Sequence, residues 1–512
     1  MPYLEGMAYL SRFMAWFAYL RKNGDSLIAA AAGFCIIILL ARHGGIGISP
    51  DSVTYMSVAE NLHSHHELKD FSQLALIDFP PFYPLFLQFV MTVTGMKPLL
   101  FAPGLNAFLF ALVIYSCGVM MNRFSFYNRW YKIALLSCIV LSPSLQEIYS
   151  MLWSETLFIV LLLLLIITLY HYYRSRSILL LLLLGLLAGL ACITRYAGIA
   201  FFVTAAFLLL VSPGLPIRKR LLHFLVFVAV SACLPAINLV HNRHASGTLT
   251  GYREEAIRSV WDNISDTGAV FCQWLPFLRK YPAAAPVVAL LLIIALGLGW
   301  IWRLWRKRQF DSYENITTGF FLSYTLFMII SASLSRYQPL DNRLLCPVFI
   351  PLLWSIGGWL MAAIQMAGRW KKIWIAVGLL FFACFQYSQV RDDLETWTDI
   401  RYAGIPGYTE DQWQHSPTVL YIQKNKAAFR YGFGMYSNAN DAIWFFTGMK
   451  AELLPHTDFG NDVKEFLTEK HCYVVWFNDG YNPDLAGLDF IINEKKMQLV
   501  EQLPDGAVYI TP

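Results

Sequence analysis

The sequence predicts a polytopic α-helical membrane protein that ends in a small α/β domain, and three observations lead there. Apolar runs of roughly 17 to 25 residues, each able to cross a hydrocarbon core, recur from the N-terminal region to about residue 390. Hydrophobic residues make up 57% of the 512 and charged residues only 14%, where soluble domains carry about 25% charged; the mean hydropathy is +0.48. Beyond residue 390 the composition changes, and short strand-like runs alternate with polar helical stretches.

Eleven spans are expected, at about 26–42, 99–120, 132–147, 154–172, 177–193, 197–213, 221–240, 284–302, 316–335, 344–366 and 373–390. The first follows a charged, aromatic segment with no small-residue cleavage site, which reads as a retained span rather than a signal peptide. Basic clusters punctuate every second connection. Arg12, Arg21 and Lys22 precede the first span, and Arg123, Arg129 and Lys132 follow the second. Then come Arg174 and Arg176; Arg218, Lys219 and Arg220; Arg303, Arg306, Lys307 and Arg308; and Arg369, Lys371 and Lys372. Short basic loops mark the cytoplasmic side. The N-terminus is therefore expected in the cytoplasm and the C-terminal region outside, with the inner (plasma) membrane as the location.

The stretch from Pro80 to Val93 is left out of the count. Pro80, Pro81 and Pro84 open it and only about ten apolar residues follow, which suits an interfacial or re-entrant helix. Two long loops, 43–98 and 241–283, then face outward from a membrane domain covering 1–390. The third outward segment, 391–512, is the α/β domain, with strands expected at 431–436, 473–477 and 506–510 and a helix at 462–470.

Seven of the nine cysteines fall in apolar runs, where they act as small hydrophobes. Cys272 and Cys472 sit in expected loops and could pair, and no CxxC spacing points to zinc. The net charge of +5 is dispersed over short loops, so it marks topology and no nucleic-acid surface.

The first loop carries the densest chemistry. Ser49 is placed to cap a helix with Pro50 at its first position, and Val53, Met56, Ala59 and Leu62 fall near one face. That pattern suits a helix lying along the membrane surface, with Asp51 in its first turn, where the helix dipole favours a carboxylate. Asp51 could accept a proton from an attacking hydroxyl, or it could only cap the helix. His63-x-His65-His66-Glu67 and His241-x-x-His244 could hold a divalent metal or could simply be solvated. With no acidic D-x-D pair in the loop, chemistry without a metal or other cofactor is expected.

Several motifs then follow in order: Asp51-Ser52-x-x-Tyr55-x-x-x-Ala59-x-x-Leu62, Pro80-Pro81-x-Tyr83-Pro84-Leu85, Ser154-Glu155-Thr156, Thr194-Arg195-Tyr196-Ala197-Gly198, Gly247 to Arg253, and Asn342-Arg343-Leu344-Leu345-Cys346-Pro347. Over residues 26–366 the set resembles the GT-C superfamily of membrane glycosyltransferases. The branch is that of the protein O-mannosyltransferases and the aminoarabinose transferases of lipid A. The resemblance implies a polyprenyl-phosphate monosaccharide as donor, an acceptor glycan, lipid or protein outside the membrane, and inversion at the anomeric carbon. It implies Asp51 as general base.

Asp78 could bind the acceptor or donor sugar or could play a structural part beside the interfacial helix, and Tyr55, Tyr83 and Tyr196 join as candidate substrate contacts. Arg195, Arg253, Arg336 and Arg343, expected on the outer face, suit a departing phosphate, or they snorkel to lipid headgroups. Glu155, at the start of a span, is expected to partner an arginine. The competing reading is a transporter or flippase of a lipid-linked saccharide. Such proteins often show repeated halves with binding groups at mid-membrane, whereas this sequence shows no repeat. A catalytically idle relative is the third reading.

Overall fold

A computed structural model describes residues 22–125, 127–251, 253–275, 277–306, 310–336, 338–430, 432–479 and 482–512. Arg12, Arg21, Tyr252, Lys307, Arg308 and Tyr431 of the sequence reading lie outside the described residues. The chain divides into two compact units that are discontinuous in sequence. One comprises 22–39, Ile77–Tyr83 and Ala102–Thr398; the other comprises Leu40–Leu76, Pro84–Phe101 and Asp399–Pro512.

The first unit is a helical bundle. Each of the eleven expected spans falls on helix, but among the described residues eight helices are individually long and apolar enough to cross a membrane. These are α1 (Lys22–Leu40), α4 (Pro98–Met121), α7 (Glu155–Ser175) and α10 (Ile217–Ser246), with four more built around α12 (Ala285–Trp305), α13 (Tyr313–Leu334), α15 (Phe349–Met366) and α16 (Lys371–Ala403). The other three expectations change in form. The span at 132–147 breaks into α5 (Arg129–Val140) and α6 (Pro143–Ser150), bent by 48°. Pro143 explains the break: it lacks an N–H and suits a first helical position, and the Ser142 side chain caps the new helix by accepting from the Leu145 N–H. Helix α8 (Ile178–Thr194) and helix α9 (Ile199–Leu210) are short, and a 3-10 turn at Tyr196–Gly198 joins them.

Burial sorts the helices. Helix α7 is apolar on all sides and sits enclosed by its neighbours, whereas α10, α12 and α16 leave broad apolar flanks exposed. In a water-soluble protein those flanks would be a liability; here they are the lipid-facing surface of a multi-pass membrane protein.

The second unit holds α2 (Pro50–His65), α3 (Phe82–Thr94) and a five-stranded sheet. The strands are β1 (Gly434–Ser437), β2 (Glu452–Leu453), β3 (Cys472–Phe477), β4 (Gln498–Leu503) and β5 (Gly506–Ile510), in the order β2-β1-β3-β5-β4. β1 pairs in parallel with β2 and β3, and β5 runs antiparallel to both β3 and β4. Central β3 and β5 are buried on both faces, and their core takes in Phe466, Cys472, Val474, Ile491, Ala507 and Tyr509. Helices α19 (Asn440–Thr447), α20 (Gly460–Thr468) and α21 (Leu488–Lys495) follow the strands.

Helix α2 departs from the expectation of a surface helix. Ser52, Val53, Tyr55, Met56, Ser57, Val58 and Ala59 are all buried, so residues on more than one face of it are covered. Helix α3 keeps an apolar exposed face at Leu85, Phe89 and Val93 while Leu87 and Met91 are buried. All nine cysteines are free; Cys272 and Cys472, expected in loops, are buried thiols.

Candidate functional site

In the second unit the start of α2 is built from short side chains. The Ser49 N–H donates to Ser52 Oγ at 3.1 Å and the two hydroxyls lie 3.1 Å apart, while Pro50 takes the first helical position. The serines supply the reciprocal cap, so Asp51 in the same first turn is not the capping residue. Tyr55, one turn further on, is buried at 2% exposure.

The segment leading into this turn is held by the C-terminal part of the chain. The Tyr408 N–H donates to the Ile48 carbonyl at 2.8 Å, Thr409 Oγ1 donates to the Ile46 carbonyl at 2.8 Å, and His43 Nε2 meets Asp411 Oδ1 at 3.0 Å. Tyr408 also donates its phenol to Asp441 Oδ2 at 2.7 Å. Asp441 lies in the first turn of α19, which packs against α2, and the Asp51 charge acts on it. Burial pushes the Asp441 carboxyl above the usual carboxylate range, and the Tyr408 hydrogen bond holds it back.

In the first unit Glu155 opens α7 with its side chain fully buried. Arg195 Nη1 approaches it at 2.6 Å and Arg343 Nε at 2.7 Å, so two guanidiniums share one carboxylate. Arg195 also donates to Ser154 Oγ at 3.0 Å, and the Arg343 guanidinium lies 4.2 Å from the Trp153 ring centroid. A desolvated cation over tryptophan is worth about 2 kcal/mol. Beside Arg343, Asn342 donates to Glu147 at 2.6 Å and accepts from Trp274 Nε1 at 2.9 Å. Asp341 caps the short helix Asn342–Leu345, and burial raises its carboxyl towards the neutral form.

A second group continues from Arg195 through its neighbour Tyr196. The Tyr196 phenol donates to the Ile77 carbonyl at 3.0 Å and accepts from Asn242 Nδ2 at 3.2 Å. Arg253 lies over the Tyr196 ring and reaches the Asp78 carbonyl. Burial pushes the Asp78 carboxyl up, and the Arg253 charge beside it acts the other way. Gly251, at φ +77°, leaves room for Asp78; a Cβ there would come within 2.0 Å of Asp78 Oδ1. Arg336 Nη1 pairs with Glu254 at 2.5 Å.

The ten residues singled out in the sequence therefore distribute as follows. Glu155, Arg195 and Arg343 form one cluster; Asp78, Tyr196 and Arg253 form another; Arg336 joins through Glu254. Tyr83 is fully buried, and Asp51 and Tyr55 share α2 in the second unit. Sequence reasoning missed Asp441, Tyr408, Glu254, Asn242 and Trp153. Each partners a residue far along the chain; Trp153, which lies under Arg343, also stands next to Ser154-Glu155.

Of the histidines, His63 and His65 end α2 and His66 is its left-handed cap; His63 Nδ1 lies 3.4 Å from Thr92 Oγ1. Among the described residues neither histidine group gathers three ligand atoms for a metal. The first unit also contains a cavity of about 940 Å³ between α5, α15 and α16, with an apolar lining that includes Leu352, Ile356, Phe382 and Phe385. None of the ten residues lines it, but Trp274, the donor to Asn342, does.

No protein-family model matches the sequence, and no curated protein matches it. Solved structures do. The chain is similar to ArnT from Cupriavidus metallidurans in the apo state, with a TM-score of 0.58 and 12% identity over 96% of this chain and 98% of that one. It is similar to ArnT bound to undecaprenyl phosphate, with a TM-score of 0.54 and 12% identity over the same shares, 96% and 98%. It is also similar to the apo oligosaccharyltransferase of Archaeoglobus fulgidus, with a TM-score of 0.54 and 13% identity over 91% of this chain and 70% of that one. At such identities the likeness is one of fold. The chain shares the fold of these proteins: a polytopic helical membrane domain with a small C-terminal sheet.

Proposed function

We propose that this chain is an inverting glycosyltransferase that moves one monosaccharide from a polyprenyl-phosphate donor to an acceptor hydroxyl on the extracytoplasmic side of the inner membrane. The observation that carries the reading is the pair of guanidiniums sharing one buried carboxylate where α7 begins. Planar guanidinium donors match phosphate oxygens, and an apolar cavity reaches Trp274, one hydrogen bond from Arg343's neighbour. An anionic head with a hydrocarbon tail is the ligand such a combination suits. The fold adds support, since ArnT with the same architecture has been solved bound to undecaprenyl phosphate.

In this reading Asp51 is the general base. The proton of the acceptor hydroxyl passes to an Asp51 carboxylate oxygen and the freed oxygen pair bonds to the anomeric carbon. The bond from that carbon to the phosphate oxygen breaks, and its electrons leave with the phosphate. A leaving phosphate calls for cationic donors, and Arg195 and Arg343 of the first unit have that chemistry. A positioned base contributes about 10²- to 10⁴-fold.

The test is donor turnover by purified protein, wild type against Asp51→Asn, over a panel of polyprenyl-phosphate sugars with released polyprenyl phosphate followed by mass spectrometry. A loss of at least about a hundredfold supports the base. Normal turnover by a folded Asp51→Asn would remove Asp51 from the chemistry. Tight binding of lipid-linked saccharide with no release of polyprenyl phosphate would point to transport.

A further inference from the structure

The apolar cavity between α5, α15 and α16 extends well past its Trp274 end. Trp274 packs edge-on against Phe349, the first residue of α15, with ring centroids 5.3 Å apart. From there the lining follows α15 through Leu352, Ile356 and Leu360 to Gln365. At a rise of 1.5 Å per residue this stretch is about 24 Å long, well beyond one leaflet of a hydrocarbon core about 30 Å thick. The far end therefore lies towards the opposite membrane face, where Ser125, Asn128, Trp130 and Lys371 line it.

Three helical stripes face this slot without closing it. The stripe on α16 is Lys371, Ile375, Gly378, Phe382 and Phe385, spaced by three or four residues and so on one face. Gln386 ties α16 to α5 just past Phe385, donating from Nε2 to Ser137 Oγ at 2.9 Å. Towards Lys371 the helix stays uncovered: Ile375 and Leu379 line the cavity and are still 40% and 63% exposed. An apolar slot beside lipid does not stay empty, because its lining would forfeit dispersion contacts. Its Lys371 end is basic. Trp130 there is exposed, as an indole at headgroup level is. Lys132 is buried and paired with Asp25 at 2.7 Å, and Arg129 meets the same carboxylate at 3.9 Å. Lys371 lines the cavity with no carboxylate paired to it among the described residues, and Arg369 and Lys372 flank it. Basic pockets between membrane helices take anionic lipid headgroups.

We propose that this slot binds one anionic glycerophospholipid, with its phosphate at Lys371 and its acyl chains between α5, α15 and α16. The Lys371 ammonium is a point charge that meets a phosphodiester without a fixed geometry, and the polar Ser125 and Asn128 beside it suit the glycerol ester oxygens. The lipid braces α16 along the face that the protein leaves uncovered. A partner membrane helix would fill the apolar stripe but leave the Lys371 charge unused, whereas a phosphate uses both. The site goes beyond the glycosyl-transfer reading, which draws only on the Trp274 end of the cavity and on the cations at Glu155.

The full chain, purified in detergent, is titrated with dioleoylphosphatidylglycerol, with dioleoylphosphatidylcholine of the same chains, and with polyprenyl phosphate. Native mass spectrometry counts bound lipid, and thermal unfolding follows stability. Phosphatidylglycerol should bind as a single lipid per chain and raise the unfolding temperature. It should bind about fivefold more tightly than phosphatidylcholine, the worth of one lysine at a membrane surface. Lys371→Gln changes an exposed side chain, so it should fold and lose that preference. A Cβ at Gly378 comes no nearer than 3.9 Å to Leu360, so Gly378→Trp can send its indole into the slot and should exclude the lipid with Lys371 still present. If Gly378→Trp fails to fold, Lys371→Gln decides alone. Equal binding of the two phospholipids, or unchanged phosphatidylglycerol binding in either folded variant, overturns the proposal. Displacement of phosphatidylglycerol by equimolar polyprenyl phosphate would give the slot to the donor's tail and overturn it too. So would a co-purifying polypeptide that Gly378→Trp releases, which would make the slot a seat for a partner helix. No readout needs sugar transfer, so the result stands apart from the turnover test of Asp51.

Discussion

Replacing Glu155 with glutamine removes one charge and almost no volume, and the structure gives its cost. The side chain is fully buried and the two guanidiniums that meet it, at 2.6 and 2.7 Å, are only 16% and 14% exposed. In Glu155→Gln those cations face each other with no carboxylate between them. Breaking a buried pair by removing one partner costs about 3 to 5 kcal/mol, and the upper end is expected because two cations lose one anion. Arg343→Gln is milder: Arg195 still neutralises Glu155, and the loss is that of a charged hydrogen bond, about 1.5 to 3 kcal/mol. The double variant Glu155→Gln/Arg343→Gln relieves the repulsion, so the pair should be non-additive by about 1 to 3 kcal/mol. Unfolding in mixed micelles titrated with SDS, followed by circular dichroism at one pH, measures all three. A Glu155→Gln protein within about 1 kcal/mol of wild type would refute the argument, because a shared buried ion pair cannot be removed at no cost.

Two further outcomes follow from the same reasoning. Burial raises the Asp78 carboxyl, so between its unfolded and folded values the native state binds more protons than the unfolded one, and stability falls as pH rises from about 4. Asp78→Asn should abolish that slope, making the variant relatively more stable at pH 7 than at pH 4 in denaturant titrations; an unchanged slope would count against burial as the cause. Gly407→Ala asks an L side chain to hold φ +117° against the Ile48 carbonyl, which costs about 1 to 3 kcal/mol. It should therefore lower the unfolding temperature and donor turnover together, and loss of neither would show that the strip 407–409 does not hold α2.

Much of the fold was legible because spans announce themselves by length and apolarity. Every expected span falls on helix, and β3, β5 and α20 lie close to the runs chosen for them. What escaped has local causes. Pro143 breaks a run whose composition is continuous, and β2 and β4 are exposed edge strands without an alternating pattern. Helix α2 has apolar residues on one face, but its small Ser52 and Ser57 let it pack on the others too, which no periodicity reveals. Which of the candidate side chains meet one another was not legible. Glu155 meets Arg343 188 positions later, and Tyr408 meets Asp441 from within a segment whose sequence resembles no motif.

The placement of charge supplies the last step. On one unit two arginines are tied to a single carboxylate; on the other, a buried carboxylate has a second carboxylate as its charged neighbour. In the glycosyl-transfer reading proposed above, the paired guanidiniums supply cationic donors for a leaving phosphate. The cluster that opens α7 is held together by its own charges, so its cations stay fixed in place at the end of a membrane helix.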